Sequence, residues 1–271
     1  MSNYKLKISI IIVGRNDNYG GDFLSRIQTS VEVLSALSSK YNLSAELIIV
    51  EWNPPSDRPL FVDAIQWENI VGSLTTRIIL VPNKIHNLIP FSDKIKLYEY
   101  IAKNIGIRRS EGEYCLISNP DILFSEELIE TLSKLNLSQK AFYRVDRYDF
   151  NKKDLLQSSI QAINIAKQVI YMVNVRQVDY VTPIQHKFTP SELYEGICNN
   201  NWFGSHVGML PPDDFHQVEL DDGIGPYGGL HTNASGDFLL ASRDNWHRIR
   251  GFAEFVDTYT HLDGYACHQL S

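Results

Sequence analysis

Along the first half of the chain, short apolar runs alternate with longer stretches whose apolar positions recur every three or four residues. Ile8–Val13 is rich in β-branched residues and ends at Gly14, which predicts a buried strand. Phe23–Ser39 places Phe23, Leu24, Ile27, Val31, Leu34 and Leu37 close to helical period. Glu46–Glu51 predicts a second strand, stopped by Asn53-Pro54-Pro55, and Arg77–Val81 a third. Lys94–Arg109 predicts a helix with Ile95, Tyr98, Ile101, Ala102 and Ile105 on one face. Glu113–Ser118 predicts a fourth strand. Ser125 then caps a helix over Glu126–Leu135, whose opening glutamates suit a helix N-terminus.

Alternation of this kind implies parallel strands joined by right-handed crossovers, with ligands seated beyond the carboxyl ends of the strands. The loops after Val13, Val50, Val81 and Ser118 are therefore expected to line a site. The second half is less regular. Ala141–Arg147 reads as a strand, Leu155–Lys167 as a helix, Phe238–Ile249 as a return to helical pattern, and Leu262–Leu270 as a last short helix. Between them, Asn199–Gly236 is rich in Gly, Asn, Asp, Pro and His, a length of loop that usually serves function or moves.

Composition narrows the function classes. The chain has 271 residues, 44% of them hydrophobic and 21% charged, enough for a sizeable core. A net charge of -7 leaves no broad basic surface for a phosphate backbone, which disfavours nucleic acid as a partner. An anionic nucleotide remains possible where a metal ion or an arginine supplies local positive charge. The three cysteines, Cys115, Cys198 and Cys267, are widely separated and predict reduced, buried thiols. The apolar run near the N-terminus is too short to span a membrane and lacks a small-residue cleavage site, so a cytoplasmic protein without a membrane span is expected.

Three segments carry candidate chemistry. The first is Gly14-Arg15-Asn16-Asp17-Asn18-Tyr19-Gly20-Gly21, between the first strand and the first helix. It matches neither the dinucleotide fingerprint nor the P-loop, and reads either as a polar turn opening the helix or as part of a nucleotide cradle. The second ends in Ser118-Asn119-Pro120-Asp121, where Pro120 fixes the turn and a carboxylate emerges at a strand end. A diphosphate leaving group needs its growing charge neutralised, and a carboxylate-held divalent ion can do that. Asp121 could equally be a helix-initiating residue ahead of Ser125. The third runs Ala234-Ser235-Gly236-Asp237 through Trp246, then Ile249-Arg250-Gly251-Phe252, then His261-Leu262-Asp263. Trp202, Trp246 and Tyr227 could form an aromatic platform for a sugar or belong to the core.

These segments, in this order, resemble a GT-A glycosyltransferase of the family 2 type, with a C-terminal block similar to galactosyltransferase-like members. The resemblance rests on the opening strand, the helix Ala102–Arg109, the Gly112-Glu113-Tyr114 approach to the fourth strand, and Asn119-Pro120-Asp121 standing where an Asp-x-Asp metal motif belongs. It implies a single domain over 1–271, with a nucleotide-sugar half over 1–125 and an acceptor half over 126–271. The implied fold is a GT-A type α/β architecture with a central, mostly parallel mixed sheet flanked by helices. By the same resemblance, Arg15, Asp17, Glu51 and Trp52 surround the base and ribose, and Asn104, Arg108 and Asn119 approach the nucleotide. Asp121 holds Mn²⁺ or Mg²⁺, with His268, His261 or His231 as a further ligand. Asp263 is the base that deprotonates the acceptor. His231, Asp237 and His261 lie on the acceptor or lid side, the lid being Asn199–Thr232.

The activity implied is transfer of a sugar from a nucleoside diphosphate sugar, a UDP-sugar being favoured, to a hydroxyl of a carbohydrate or other acceptor, with inversion. One alternative is a non-catalytic nucleotide- or carbohydrate-binding protein on the same fold, which Asn119 in place of an acid would suit. Another is a nucleotidyltransferase, although its Gly-rich loop with a following Lys is missing after the first strand.

Overall fold

The computed structural model describes residues 6–145 apart from 71, 73 and 135, the strands 174–177 and 180–183, and residues 235–257 and 262–271. The chain divides into two compact units, residues 1–145 with 234–271, and residues 146–233.

The first unit is built on a six-stranded sheet. Its strands are β1 (Ile8–Gly14), β2 (Ala45–Trp52), β3 (Thr75–Val81), β4 (Tyr114–Ser118), β5 (Phe142–Arg144) and β8 (Phe238–Ser242), in the order β3-β2-β1-β4-β8-β5. β1 runs parallel to β2 and β4, and β2 to β3, whereas β8 is antiparallel to both β4 and β5. Helices α1 (Phe23–Lys40), α4 (Glu99–Arg108) and α5 (Glu126–Lys134) flank the sheet, with short turns α2 (Phe61–Ala64) and α3 (Asn83–His86) after β2 and β3. Two further helices, α6 (Arg243–Arg248) and α7 (Leu262–Leu270), follow β8. This is the mostly parallel, mixed α/β sheet expected.

Why the central strands read as continuous apolar runs is now plain. Every residue of β1, β2 and β4 is buried, as a sheet covered on both faces requires. α4 crosses so close to β1 that a Cβ on Gly106 would lie 2.4 Å from Ile11 Cγ2. Gly112 is as constrained at the approach to β4: a Cβ there would lie 2.5 Å from the Ser9 backbone nitrogen. The buried carboxylate in this core is fully partnered, whereas the α1 hydroxyls of Ser35 and Ser38 are buried without a hydrogen-bond partner among the described residues. Glu46, 1% exposed, accepts from Ser9 Oγ at 2.6 Å and from the Glu111 N–H at 2.8 Å, and pairs with Arg77 at 2.7 Å.

Two elements differ from expectation: the helix expected over Lys94–Arg109 begins only at Glu99, after turns and loop over 91–98, and the segment after Asp237 changes type. Phe238–Ile249 is not one helix but β8 followed by α6. Phe238-Leu239-Leu240-Ala241 is a short unbroken apolar run, which suits a strand buried on both faces as well as a helix. Ser242 decides the boundary: its hydroxyl accepts the Asn245 N–H and caps α6. Trp246, fully buried, donates from Nε1 to the Cys115 carbonyl at 3.2 Å and packs on Phe252 at 5.0 Å, so it is core rather than a sugar platform.

In the second unit, β6 (Asn174–Gln177) and β7 (Tyr180–Pro183) form an antiparallel pair. The expected helix over 155–167, the candidate lid over 199–232, Trp202, Tyr227, His231 and His261 lie outside the described residues.

Candidate functional site

The parallel strands end at one edge of the sheet. Because β8 runs the other way, its first residues arrive at that same edge, with Phe238 opposite Ser118. The loop after β1 is held there by its own polar side chains. Arg15 Nε donates to the Asn53 carbonyl at 2.6 Å, joining the loops after β1 and β2, and its guanidinium pairs with Asp17 at 2.8 Å. Asp17 also accepts the Tyr19 N–H at 3.1 Å. Asn16 donates to the Pro59 carbonyl at 2.9 Å. Arg15 and Asp17 remain partly exposed, so a ligand at this edge can reach them.

Other residues expected around the nucleotide point inward. Glu51 is 1% exposed, and both carboxylate oxygens accept the Phe61 N–H, at 3.0 and 3.1 Å. It anchors the first turn of α2 instead of facing a ribose. Burial pushes its pKa up to about 7, against the Phe61 N–H, which favours the anion, and with help from the charge of Asp63. Trp52 is also in the core. Its indole donates to His86 Nδ1 at 3.0 Å, which leaves His86 Nε2–H to donate to the Ser92 carbonyl at 3.0 Å and fixes the neutral Nε2–H tautomer. Asn104 is a clamp between α4 and the turn after α6. It accepts the Phe252 N–H at 2.8 Å, and its amide donates to the Phe252 carbonyl and to Glu254, both at 2.9 Å. Arg108, on the same helix, pairs with Glu254 at 3.0 Å on the surface. Glu51 and Asn104 turn inward because each satisfies buried backbone, Trp52 because its indole finds the buried His86 ring, whereas Arg108 stays at the surface.

At the end of β4, segments distant in sequence meet. Asn119 donates to Asp237 at 2.6 Å, and the Ser118 hydroxyl donates to the Asp237 carbonyl at 2.7 Å. Lys103, fully buried on α4, donates to Asn119 Oδ1 and to the Gly236 carbonyl, each at 3.3 Å, and pairs with Glu99. The Gly236 N–H donates to Asp263 Oδ2 at 2.7 Å, and Tyr100 Oη to Asp263 Oδ1 at 3.4 Å. Burial works against the Asp263 carboxylate. The N–H groups of Gly264 and Gly236, the Ser235 hydroxyl and the Lys103 ammonium outweigh it and hold the pKa below its ordinary value. Burial, then the charges of Asp263 and Glu99, push the Tyr100 hydroxyl well above its ordinary value, so it stays a donor. Asp263 is thus a half-buried carboxylate kept ionised at neutral pH in the first turn of α7.

Lys103 and Tyr100 were not signalled by the sequence, where both look like ordinary positions of an amphipathic helix. Arg26 was missed too. Its guanidinium pairs with Asp121 and donates to the Tyr19 carbonyl, while its Nε donates to the Gly21 carbonyl at 3.3 Å.

That pairing bears on the expected Mn²⁺ or Mg²⁺. Such ions ask for several converging oxygen donors. Asp121 already carries a guanidinium, and the Asn119 side chain is engaged by Asp237 and Lys103 rather than turned to Asp121. His268 is exposed on α7, five positions from Asp263 and so about 140° round the helix from it. No three His, Cys, Asp or Glu side chains converge among the described residues. The described donors at Asp121 therefore do not fit a divalent ion.

No protein-family model matches the chain, and no curated protein matches it. Among solved structures it is similar to S. aureus TarS 1–349, at 15% identity and a TM-score of 0.29, over 45% of this chain and 29% of that one. At that score the likeness bears no weight on function. No helix among the described residues is long and apolar enough to cross a membrane.

Proposed function

We propose that this chain transfers a sugar from a nucleoside diphosphate sugar, a UDP-sugar by preference, to an acceptor hydroxyl, with inversion, and that it works in the cytoplasm. The observation that supports this most is the meeting of the β4 end with the start of α7 at the ligand-binding edge, bridged by Asn119–Asp237 and Gly236–Asp263. One edge then offers a polar nucleotide loop after β1 and a carboxylate kept ionised.

The donor lies across the β1 and β4 ends, its base and ribose against the Arg15–Asp17 loop. The acceptor hydroxyl gives its proton to Asp263 as its oxygen bonds to the anomeric carbon, and the bond from that carbon to the diphosphate breaks on the opposite face. Asp237, through Asn119, and Lys103, through Gly236, fix the approach to Asp263 and do not themselves touch the reacting atoms.

A thermal-shift screen of UDP, GDP, CDP and their sugars tests the reading. At a hundred times its Kd, a true ligand adds about 2.7 kcal/mol of stability. A screen in which no nucleotide and no nucleotide sugar raises the melting temperature sinks it.

A further inference from the structure

We propose that Arg26 is the cation that receives the donor's diphosphate, and that Asp121 holds Arg26 ready in the ligand-free chain. This rests on the nucleotide-sugar reading above and says which group neutralises the leaving diphosphate.

The geometry is specific. Arg26 lies in the first turns of α1, directly behind the Gly14–Gly21 loop. All three guanidinium nitrogens are engaged: Nε on the Gly21 carbonyl, one terminal nitrogen on the Tyr19 carbonyl, and the other on Asp121. The guanidinium carbon sits 5.5 Å from the centre of the Phe23 ring. One side chain thus ties the β1 loop to the end of β4, the two places where a diphosphate at this edge has to lie. The pair is also reachable, with Arg26 24% and Asp121 29% exposed.

The chemistry favours exchange. A guanidinium presents a planar fork that matches two phosphate oxygens, never loses its proton, and is weakly hydrated. A diphosphate carries more negative charge than one carboxylate, so it competes for Arg26 with Asp121. The backbone carbonyls of Tyr19 and Gly21 keep the guanidinium in place during that exchange. A divalent ion at Asp121 would have to displace Arg26 or sit against its positive charge. The Asn119 side chain offers it no help, being held by Asp237 and Lys103.

Titration calorimetry on the full chain separates the possibilities, using UDP, GDP, CDP and inorganic pyrophosphate as probes, each in EDTA and in Mn²⁺. Wild type, Arg26→Gln, Arg26→Lys and Asp121→Asn are compared, with circular dichroism to verify that each folds. Wild type is expected to bind UDP in EDTA, with a Kd that Mn²⁺ changes by less than about threefold. Arg26→Gln should weaken UDP and pyrophosphate binding about tenfold to a hundredfold in EDTA, and Arg26→Lys should restore part of the loss. Asp121→Asn should bind as tightly as wild type or more tightly, because the guanidinium is no longer held by a carboxylate. UDP binding that needs Mn²⁺ and disappears in Asp121→Asn overturns the role of Arg26 while leaving the nucleotide reading intact. Failure of UDP, GDP and CDP to bind under either condition overturns both.

Discussion

Glu51 gives the sharpest physical prediction. It is 1% exposed at the end of β2, and its two oxygens share a single backbone donor, the Phe61 N–H. Burial therefore outweighs hydrogen bonding, and the pKa rises from an ordinary 4.5 to about 7. The folded chain holds this proton more tightly than the unfolded chain, so the acid form stabilises the fold. That contribution is complete below pH 4.5 and is lost as the pH rises through about 7. At about 1.4 kcal/mol per pH unit of displacement, the loss amounts to about 3 kcal/mol. Glu51→Gln keeps an acceptor for the Phe61 N–H and cannot ionise. Urea unfolding of both proteins from about pH 4 to about pH 9 should show the stability difference moving in favour of the variant by about 3 kcal/mol. Taking the difference cancels the titration of every group not coupled to Glu51, Asp63 being the coupled neighbour. A difference that stays flat across this range would mean that Glu51 is not held in the buried environment described.

Other substitutions probe the remaining contacts. Asp263→Asn should lower sugar transfer by about 10²–10⁴ while donor affinity survives, as expected of a lost general base, and an unchanged transfer rate would remove Asp263 from the chemistry. Asn104→Ala deletes the clamp on Phe252 and Glu254 and should cost about 2–4 kcal/mol in urea unfolding, whereas Arg108→Ala, on the surface, should cost less than about 1 kcal/mol. Equal losses in the two would contradict the burial assigned to Asn104. Gly112→Ala places a methyl 2.5 Å from the Ser9 nitrogen and 2.7 Å from the Ile8 carbonyl carbon, both backbone atoms that cannot step aside, and should destabilise by more than about 2 kcal/mol. A melting temperature within a degree or so of wild type, on the order of 0.3 kcal/mol, would show that β1 has more room there than described.

The legible part of the fold was the part governed by local pattern. β1, β2 and β4 are covered on both faces, so burial writes itself into unbroken apolar runs, and α1, α5 and α7 fall within a residue of their expected limits. β8 was not legible, because a four-residue apolar run in front of a capped helix has no period of its own. At the site, Asp263 was singled out through the family resemblance, and the structure brings it beside Gly236 and Tyr100. Glu51, Trp52 and Asn104 could not be placed, since a polar or aromatic residue at a strand end or on a helix can turn to solvent or inward, and only the Phe61, His86 and Phe252 contacts decide it. Lys103 and Arg26 were invisible for a different reason. Each sits on a helix as any surface cation does, and each gains its meaning from a partner far along the chain, Gly236 for one and Asp121 for the other.

Product analysis tests the central claim most directly. The full chain is incubated with UDP-, GDP- and CDP-sugars, with and without a carbohydrate acceptor, and the released phosphorus species are identified by ³¹P NMR. Glycosyl transfer predicts a nucleoside diphosphate from one of these donors, released faster when an acceptor is present and suppressed by Asp263→Asn. Every nucleotide sugar left intact, while a parallel incubation with nucleoside triphosphates and a sugar phosphate releases inorganic pyrophosphate, would contradict it.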